Sequence, residues 1–289
     1  MEIITSFKSS SMNKILSENI GWINGQWKDI DKITIPVTDR GASLSDGIFE
    51  TLLILEGRPI FLKEHIDRWT KSAKYLGMES PPDTKNISTL LKEGLNISSL
   101  KSRNFSVRLN WTRGHQIKRG IEINILKKHQ NYNFWLEMRS YEPCFSEISA
   151  LICKNEKRNP HSQVNNVKTF AYSQLINARR EANNKGFNDS IILNIYDNVC
   201  CGSTSNLLVL YKDKWITPPI ESGCLPGIMR QKGIDTGQII VDEIKSLDQS
   251  EIKIMLINSL SCRPVKKLDS KQLKTYSYPK EFFNSIINQ

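Results

Sequence analysis

Helical and strand-like patterns alternate along all 289 residues, and this alternation restricts the fold more than any other feature. Residues 64–76 carry apolar side chains at helical spacing and stop at Gly77, and a second helical run follows Lys168 and ends near Gly186. Residues 105–112 alternate apolar and polar side chains, as a half-buried strand does. The sequence therefore predicts an α/β or α+β protein.

Several short strands and a domain junction can also be placed. Asn24-Gly25 separates two strand-like runs within residues 21–28, which predicts a two-residue hairpin. Residues 190–195 and 206–211 are apolar runs of strand length. The chain is long enough for two domains, and the polar stretch 140–149 around Pro143 is the predicted junction. We expect an extension at 1–19, a smaller α/β domain at 20–140 and a larger domain at 147–289.

The basic character of the chain permits binding to nucleic acid or an anionic membrane and suits small anionic ligands equally well. The net charge is +10 and the pI is about 9.2. The basic residues are nevertheless dispersed, with only short clusters such as Lys127-Lys128 and Lys266-Lys267. Dispersed lysines and arginines usually form a solvated surface. We expect a small anionic substrate and no nucleic-acid partner.

The cysteines and the apolar runs indicate the compartment. The six cysteines show no paired CxxC spacing and no framework of a small secreted protein, which disfavours zinc and disulfides and fits a reducing cytoplasm. No stretch approaches the roughly 20 apolar residues that cross a bilayer, and the first residues lack the apolar core of a signal peptide. We expect a cytoplasmic protein without a membrane partner.

Hydrolytic, metal-dependent and nucleotide-binding chemistries find no support in the motifs. The four histidines are isolated from one another, no HExxH or Ser-His-Asp framework is present, and no Walker or dinucleotide-binding glycine motif occurs. The expected site therefore contains no metal.

Eight segments between about Trp22 and Val265 stand in the order of one known enzyme group. They read INGQW, DRGASLSDGIFET, EHIDRW, TRG, NNVKTFAYSQLINARREA, GSTSNLL, LPGIMR and NSLSCRPV. Together they resemble the fold-type IV pyridoxal-phosphate enzymes, which include branched-chain aminotransferases, D-amino acid aminotransferases and 4-amino-4-deoxychorismate lyases. The resemblance implies a two-domain fold-type IV architecture, pyridoxal 5′-phosphate in a cleft between the domains, a larger C-terminal domain that binds the cofactor, and a homodimer.

Lys168 matches the family's covalent attachment point for the cofactor. The cofactor's aldehyde needs an amine that is unprotonated near neutral pH, and a lysine in a desolvated, electropositive site provides one. The resemblance also implies that Lys168 removes the proton from the amino-bearing carbon of the substrate. Read from its immediate neighbours alone, Lys168 is an ordinary surface lysine before a helix.

The phosphate group has its own matching positions. Arg68 in EHIDRW matches the family's phosphate arginine, and a guanidinium supplies the fork of donors that a phosphate needs. The turn at Gly227 matches a turn that presents backbone donors from Ile228 and Met229, and Ser259 matches a hydroxyl that contacts the phosphate. Aminotransferases usually carry threonine where Met229 stands, so GIMRQ, like NSL followed by PV, resembles the lyase branch.

Cys201 is the main departure from the family pattern. The residue before the Gly-Ser-x-x-Asn segment is in the family a glutamate that binds the pyridine nitrogen and keeps it protonated. No carboxylate lies between Asp197 and Asp213 to replace it. A thiol is a weaker, mostly neutral partner. We expect a weaker electron sink, which disfavours transamination more than elimination, unless Cys201 is only a buried residue in a chain that has lost its cofactor role.

The substrate side has fewer matches. Ala42 stands where D-amino acid aminotransferases carry a tyrosine, which argues against that branch. Arg113, Lys118 and Arg119 follow a predicted strand end where related enzymes place cations near the substrate, although each can equally be a plain surface charge. Thr51, at the end of GIFET, matches a threonine that lyases carry near the cofactor, or belongs to the strand core.

The resemblance favours one reaction and leaves two alternatives. The favoured reaction converts 4-amino-4-deoxychorismate to 4-aminobenzoate and pyruvate, a step toward folate, with Lys168 and Thr51 at the catalytic centre. The first alternative is an aminotransferase acting on branched-chain or D-amino acids. The second is a non-catalytic protein that binds the cofactor, suggested by the loss of the glutamate at Cys201.

Overall fold

The computed structural model describes residues 18–97, 103–115, 120–123, 132–248 and 252–288. The chain divides into two compact units, the first comprising Met1–Glu142 with Lys168–Phe170, the second Pro143–Val167 with Ala171–Gln289. The boundary after Glu142 falls within the predicted junction at 140–149. Fold-type IV architecture predicts mixed helix and sheet, and both units have it.

The first unit is built on a six-stranded sheet with the order β2-β1-β6-β5-β3-β4. Its strands are β1 (Ile20–Ile23), β2 (Gln26–Asp29), β3 (Gly47–Leu55), β4 (Arg58–Pro59), β5 (Phe105–Thr112) and β6 (Asn133–Ser140). The predicted hairpin joins β1 to β2, and both turn residues, Asn24 and Gly25, have positive φ, which matches the right-handed twist of the strands. The predicted strand at 105–112 is confirmed as β5.

Helices α1 (Arg40–Leu44), α2 (Leu62–Tyr75) and α3 (Thr84–Ile97) complete the first unit. The predicted helix at 64–76 is confirmed as α2, which ends before Gly77 with its φ of +60°. Helix α2 packs against β3 and buries Ile66 and Trp69 at helical spacing. Trp69 and Phe134 of β6 are aromatic neighbours with ring centroids 6.0 Å apart. This packing determines which face of α2 contacts β3.

The predicted second domain, at 147–289, includes Lys168, whereas the structure groups Lys168–Phe170 with the first unit. The Phe49 N–H donates to the Lys168 carbonyl at 2.9 Å and the Phe170 N–H to the Gly47 carbonyl at 3.0 Å. The segment therefore extends the sheet edge beside the start of β3, where β4 does not reach. These backbone hydrogen bonds, and not its position in the sequence, determine the unit to which the segment belongs.

The second unit contains a nine-stranded sheet in the order β12-β11-β10-β13-β14-β7-β8-β9, with β15 paired to β14. Pairing of β9 with β10 through Cys201 and Asn206 closes the strands from β10 to β9 on themselves. The strands are β7 (Ile148–Ile152), β8 (Asp189–Leu193), β9 (Val199–Gly202), β10 (Asn206–Tyr211), β11 (Lys214–Thr217), β12 (Ile239–Val241), β13 (Lys253–Asn258), β14 (Ser261–Leu268) and β15 (Lys271–Gln272).

Helices α4 (Ser173–Asn184), α5 (Ile228–Asp235) and α6 (Pro279–Ile287) belong to the second unit. The predicted run after Lys168 is confirmed as α4, followed by Gly186 at φ +77°, and the strands predicted at 190–195 and 206–211 are β8 and β10. Side chains from β7, β8, β10, β13 and β14 form one apolar core that includes Ile148, Ile191 and Leu207. Val199 of the short strand β9 packs in this core.

Candidate active site

Strand β3 brings several site residues of the first unit together. Successive side chains of a strand point to opposite faces, so Phe49 and Thr51 share one face and Glu50 lies on the other. Arg108 of β5 stands directly opposite Thr51 in the antiparallel register and so shares the face of Phe49. Thr51 is half-buried. The strand therefore presents an aromatic and cationic face on one side and a carboxylate on the other.

The carboxylate face contains a buried network with helix α2. Arg68 donates to Glu50 from Nε at 2.8 Å and from Nη2 at 2.6 Å, and Nδ1 of His65 lies 2.8 Å from Glu50 Oε2. Glu50 and His65 are fully buried, and Arg68 is 12% exposed. His65 and Arg68 are three residues apart and share a helix face. The bidentate pair fixes the plane of the Arg68 guanidinium, the predicted phosphate ligand.

The protonation states in this network follow from burial and charge. Burial by itself raises the pKa of the Glu50 carboxyl, but the charge of Arg68 and the hydrogen bonds of His65 and Arg68 outweigh it and hold the pKa at about 2. Burial lowers the pKa of His65, and Glu50 offsets this only in part. At neutral pH Glu50 is thus ionised and His65 is a neutral ring that donates its Nδ1 proton to Glu50.

Lys168 lies against the aromatic face of β3. Its Nζ is 4.3 Å from the centroid of the Phe49 ring, and the guanidinium carbon of Arg108 is 3.6 Å from the same centroid. The Phe170 ring lies 6.0 Å from that of Phe49. Arg108 is held by a 2.7 Å hydrogen bond from Nε to the buried Asn110. One cation, Arg108, and two aromatic rings thus lie at the predicted attachment point, which gives the half-buried Lys168 amine an electropositive, partly apolar setting.

Of the three predicted substrate cations, the structure describes Arg113. Arg113 is buried and donates to Asp46 at 2.9 Å and to the carbonyls of Gly77 and Leu76 at 3.1 and 2.7 Å. These bonds tie the end of β5 to the end of α2, so the structure gives Arg113 an internal role and its substrate role stays a prediction. Lys118 and Arg119 lie outside the described residues.

In the second unit Cys201 lies on β9 within a group of buried thiols. Register shifts between Ile192 and Leu193 of the partner strand β8, so Cys200 is an extra residue in β9. Such a bulge turns neighbouring side chains toward one side of the strand. Cys200, Cys201 and Cys224 accordingly share one buried cluster with Cys153. The predicted position of the ring-nitrogen partner therefore contains thiols where the family has a carboxylate.

The turn after Cys201 is braced by an ion pair. Asp189 accepts from the Ser203 hydroxyl at 2.6 Å, and Arg179 of α4 donates to Asp189 at 2.7 Å and to Ser203 at 2.8 Å. Asn258 extends this brace, since its amide donates to the Thr204 carbonyl at 3.3 Å. The network fixes the backbone between β9 and β10.

Helix α5 begins at Gly227, beside the same turn. A Cβ on Gly227 would meet Oδ1 of Asn206 at 1.9 Å, so a larger residue there requires the Asn206 side chain to move. No side chain in the described part of the chain caps the helix, and the first amides of any α-helix lack partners within it. Ile228 and Met229 supply these amides. An uncapped N-terminus with the positive end of a helix dipole is suited to an anion.

Ser259 lies in the tight turn between β13 and β14. Asn258 shapes that turn, because its Oδ1 accepts from the Leu260 N–H at 2.8 Å and from the Ser261 hydroxyl at 3.1 Å. The same Asn258 side chain contacts the turn after β9. One residue thus couples the predicted phosphate hydroxyl to the segment that follows Cys201.

Sequence reasoning missed Glu50, His65, Phe49 and Arg108 as site residues. Glu50 could have been found as a single charge inside the apolar run GIFETLLIL, since a buried charge requires a partner. His65 was set aside as isolated, although its spacing from Arg68 places both on one helix face. Arg108 lies between apolar residues on β5, and only the register with β3 shows what it faces.

The described residues contain neither a metal-ligand cluster nor a membrane-spanning helix. Among them no group of three or more His, Cys, Asp or Glu side chains could hold a metal ion. In the same ranges no helix is both long and apolar enough to cross a membrane.

Comparisons with known proteins find relatives in one family. The amino-transferase class IV family profile matches residues 47–268. A branched-chain-amino-acid aminotransferase-like protein of Arabidopsis thaliana is 24% identical over 238 residues, which cover 81% of this chain and 41% of that protein. The aminodeoxychorismate lyase of Bacillus subtilis is 26% identical over 226 residues, 78% of this chain and 76% of that protein.

A solved structure shows the same fold. The branched-chain aminotransferase of Thermoproteus uzoniensis, determined with norvaline, superposes with a TM-score of 0.79. The match is 18% identical and covers 92% of this chain and 93% of that one. The predicted fold-type IV architecture is confirmed.

Proposed function

This chain belongs to the amino-transferase class IV family, whose members use pyridoxal phosphate, and from that premise we propose that it converts 4-amino-4-deoxychorismate to 4-aminobenzoate and pyruvate. The observation that carries the choice of elimination is the thiol of Cys201 where the family has a glutamate. The Bacillus relative, named as an aminodeoxychorismate lyase, supports the same choice.

The residues present fit the cofactor at two of its ends. Lys168 offers an amine beside Phe49 and Arg108, and Arg68 offers a guanidinium whose plane is fixed by Glu50. For the phosphate, the second unit offers the uncapped start of α5 at Ile228 and Met229, and the hydroxyl of Ser259. At the ring nitrogen the donor set differs, since Cys201 replaces a carboxylate. Each unit thus carries donors of the kind that a phosphate needs, and the first unit also carries the amine.

Pyridoxal phosphate supplies, when bound, an aldehyde for the substrate's amino group and a ring that takes up negative charge from the amino-bearing carbon. Lys168 then removes the proton from that carbon and returns a proton as the enolpyruvyl group leaves. Arg68, whose guanidinium is oriented by its two bonds to Glu50, would bind the phosphate. Loss of pyruvate leaves an aromatic ring, which makes the elimination strongly downhill.

Cys201 favours this elimination for an electronic reason. A thiol stabilises a protonated pyridine nitrogen less than a carboxylate does, so negative charge on the substrate carbon is less well stabilised. Elimination tolerates this, because the leaving group removes the charge at once. Transamination needs a carbanion that lives long enough to be reprotonated elsewhere. The substitution therefore penalises amino transfer more than lyase chemistry.

The substrate's negative charges require cations near Lys168. Arg108 meets this requirement within the first unit, because it packs on the same Phe49 ring as Lys168. Arg113 does not, because Asp46 and two backbone carbonyls already accept its hydrogen bonds. Thr51 stands opposite Arg108 on β5 and offers a hydroxyl on the same face. We assign substrate contacts to Arg108 and Thr51 on this basis.

An aminotransferase is the second candidate function. It is favoured by the Arabidopsis relative and the Thermoproteus structure, both named as branched-chain aminotransferases or proteins like them. This function predicts amino transfer to a 2-oxo acid, which the lyase does not need.

One assay separates the two candidates. Purified protein with pyridoxal phosphate is mixed with 4-amino-4-deoxychorismate, and fluorescent 4-aminobenzoate is followed over time. We expect product with the native protein and with Lys71→Ala, which changes an exposed lysine, and none with Lys168→Ala. No product from native protein, together with amino transfer from valine or leucine to 2-oxoglutarate, would remove the lyase. Bound cofactor with neither activity would remove both.

A further inference from the structure

Two contacts hold the Arg108 side chain of β5, and each restricts a different motion. Its guanidinium carbon lies 3.6 Å from the centroid of the Phe49 ring. At that distance no guanidinium nitrogen fits between the carbon and the ring, so the planar group lies nearly flat on the ring. Its Nε donates to the Asn110 side chain at 2.7 Å. The ring therefore sets the plane of the guanidinium, and the bond to Asn110 sets its rotation within that plane.

Asn110 is buried, with 1% of its surface exposed. It is two residues from Arg108 on the same face of β5 and stands directly opposite Phe49 on β3. The two residues that restrain Arg108 are thus neighbours across paired strands. A short hydrogen bond from a charged donor is among the stronger ones in proteins, and a buried acceptor left unpaired is costly. We therefore expect the bond between Arg108 and Asn110 to persist in solution.

The orientation of the Asn110 amide follows from its neighbours on β6. Its Nδ2 lies 3.4 Å from Oε1 of Glu137 and 3.5 Å from the Trp135 carbonyl. A carboxylate and a carbonyl accept hydrogen bonds and do not donate them, so the amide nitrogen faces them. The amide oxygen then faces Arg108 Nε, which can only donate. Glu137 and Trp135 thus determine which end of the amide Arg108 meets.

Arg108 also lies close to the predicted attachment point of the cofactor. The Lys168 amine is 4.3 Å from the centroid of the same Phe49 ring. The Lys168 amine and the Arg108 guanidinium carbon cannot be further apart than the sum of their distances to that centroid. A small substrate whose amino group reacts beside Lys168 is therefore long enough to place a carboxylate at Arg108.

We infer that Asn110 is a positioning residue for substrate recognition: by holding Nε of Arg108, it directs the Nη1–Nη2 edge of the guanidinium toward a substrate carboxylate. The inference rests on the proposed function, which assigns a substrate contact to Arg108. A carboxylate binds a guanidinium in its plane through two hydrogen bonds. A guanidinium that is already fixed loses less freedom when the substrate binds. Asn110 is buried and acts through Arg108.

A purely structural role of Asn110 in the sheet is the competing description. Loss of packing would lower kcat and the affinity for pyridoxal phosphate, because Lys168 and Phe49 depend on the same sheet. Loss of positioning would raise KM alone, since the carboxylate contact is made equally before and during the reaction. The two descriptions therefore differ in how kcat and KM divide the effect.

The test measures kcat and KM for 4-amino-4-deoxychorismate, together with the affinity for pyridoxal phosphate. Asn110→Leu replaces the amide with an apolar group of similar size, and we expect KM to rise about tenfold with kcat and cofactor affinity unchanged. Arg108→Met raises KM at least as much. The double variant should match Arg108→Met, because Asn110 acts only through Arg108. Ser106→Ala, on the same face of β5, is the matched control and leaves KM unchanged.

The outcomes separate the inference from the proposed function. An unchanged KM in Asn110→Leu, or an Asn110→Leu effect that persists in the Arg108→Met background, overturns the positioning role. An unchanged KM in Arg108→Met contradicts the substrate contact itself.

A second measurement on the native protein needs neither turnover nor a folded Asn110 variant. Arginine is labelled with nitrogen-15, and the Arg108 resonances are identified by their absence in Arg108→Lys. We expect the Arg108 Nε–H to exchange slowly with water, and the Nη resonances to shift on addition of chorismate, which has a hydroxyl in place of the substrate's amino group. Rapid exchange of Nε–H overturns the role of Asn110 whatever the reaction. Slow exchange without an Nη response to chorismate contradicts the substrate contact on which the inference rests.

Discussion

Both units contain a buried cluster at a predicted cofactor position, and the two clusters are built from different atoms. In the first unit Glu50 holds Arg68 through two bonds of 2.8 and 2.6 Å. In the second unit Cys201 lies in a buried group of thiols with Cys153, Cys200 and Cys224. Short charge-assisted bonds orient a group tightly, whereas a thiol is a weak donor and a weak acceptor. The first cluster therefore fixes the position of an arginine, and the second places thiols where the family has a carboxylate.

The comparison is tested most severely by removing Glu50. Glu50→Ala leaves the charge of Arg68 and the ring of His65 without their partner, and we expect a loss of about 3–5 kcal/mol in the free energy of unfolding, measured with urea. Asp67→Ala on the same helix is the matched control. It breaks an exposed pair with Lys63 and causes no measurable loss. Equal stability of the two variants would show that the Glu50 cluster is not a buried ion network.

The second prediction concerns orientation by the guanidinium. Arg68→Lys keeps the charge but loses the planar fork that Glu50 holds. We expect the affinity for pyridoxal phosphate, titrated by absorbance, to fall about 10- to 100-fold, the value of one charge-assisted hydrogen bond. Arg58→Lys changes an exposed arginine and leaves the affinity unchanged. Unaltered affinity in Arg68→Lys would mean that Arg68 has no phosphate role.

The third prediction concerns a substitution that places a carboxylate in the second cluster. Cys201→Glu restores the carboxylate of the family, and we expect amino transfer to 2-oxoglutarate to rise at least about tenfold while elimination does not increase. Cys201→Ser, which stays neutral, provides the comparison and gains no amino transfer. Faster elimination in Cys201→Glu without amino transfer would contradict our account of the cysteine.

The smallest expected effect is a pH dependence in the first cluster. Because the pKa of His65 is lowered by burial, the folded state binds its proton less readily than the unfolded state, so stability falls as pH drops below the ordinary pKa of about 6.5. Glu50, with a pKa of about 2, adds a further loss as pH drops below about 4.5. Unfolding midpoints in urea at several pH values measure both.

His65→Asn separates the two contributions, because asparagine can donate to Glu50 but does not titrate. We expect the loss between pH 6.5 and 5 to shrink in this variant and the loss below pH 4.5 to remain. An unchanged pH profile would show that His65 does not titrate on unfolding in the way its burial requires.

Local sequence was sufficient for elements whose geometry is set by near neighbours. Asn24-Gly25 specifies a turn with positive φ, and the alternation at 105–112 specifies the strand β5. Lys168 was found by its motif, but its membership of the first unit was not. That membership depends on hydrogen bonds to Gly47 and Phe49, about 120 residues earlier in the chain.

The sequence predicts one residue of each cluster but not the residues around it. The family pattern predicts Arg68 and Cys201 as site residues, but it does not predict the residues that they contact. Glu50 pairs with Arg68 because β3 packs against α2, and Cys200 and Cys201, at the bulge in β9, share a buried cluster with Cys224. A bulge adds one residue and redirects side chains, which no two-residue periodicity shows. Pairings of this kind are tertiary and become visible only when the elements are packed.

The central claim is that Lys168 holds pyridoxal phosphate, and one measurement tests it directly. The protein is incubated with the cofactor, reduced with borohydride, digested, and the peptides are analysed by mass spectrometry. We predict that the phosphopyridoxyl group is found on Lys168, and that Lys71, exposed on α2, carries none. Modification of another lysine, or of none, would contradict the claim.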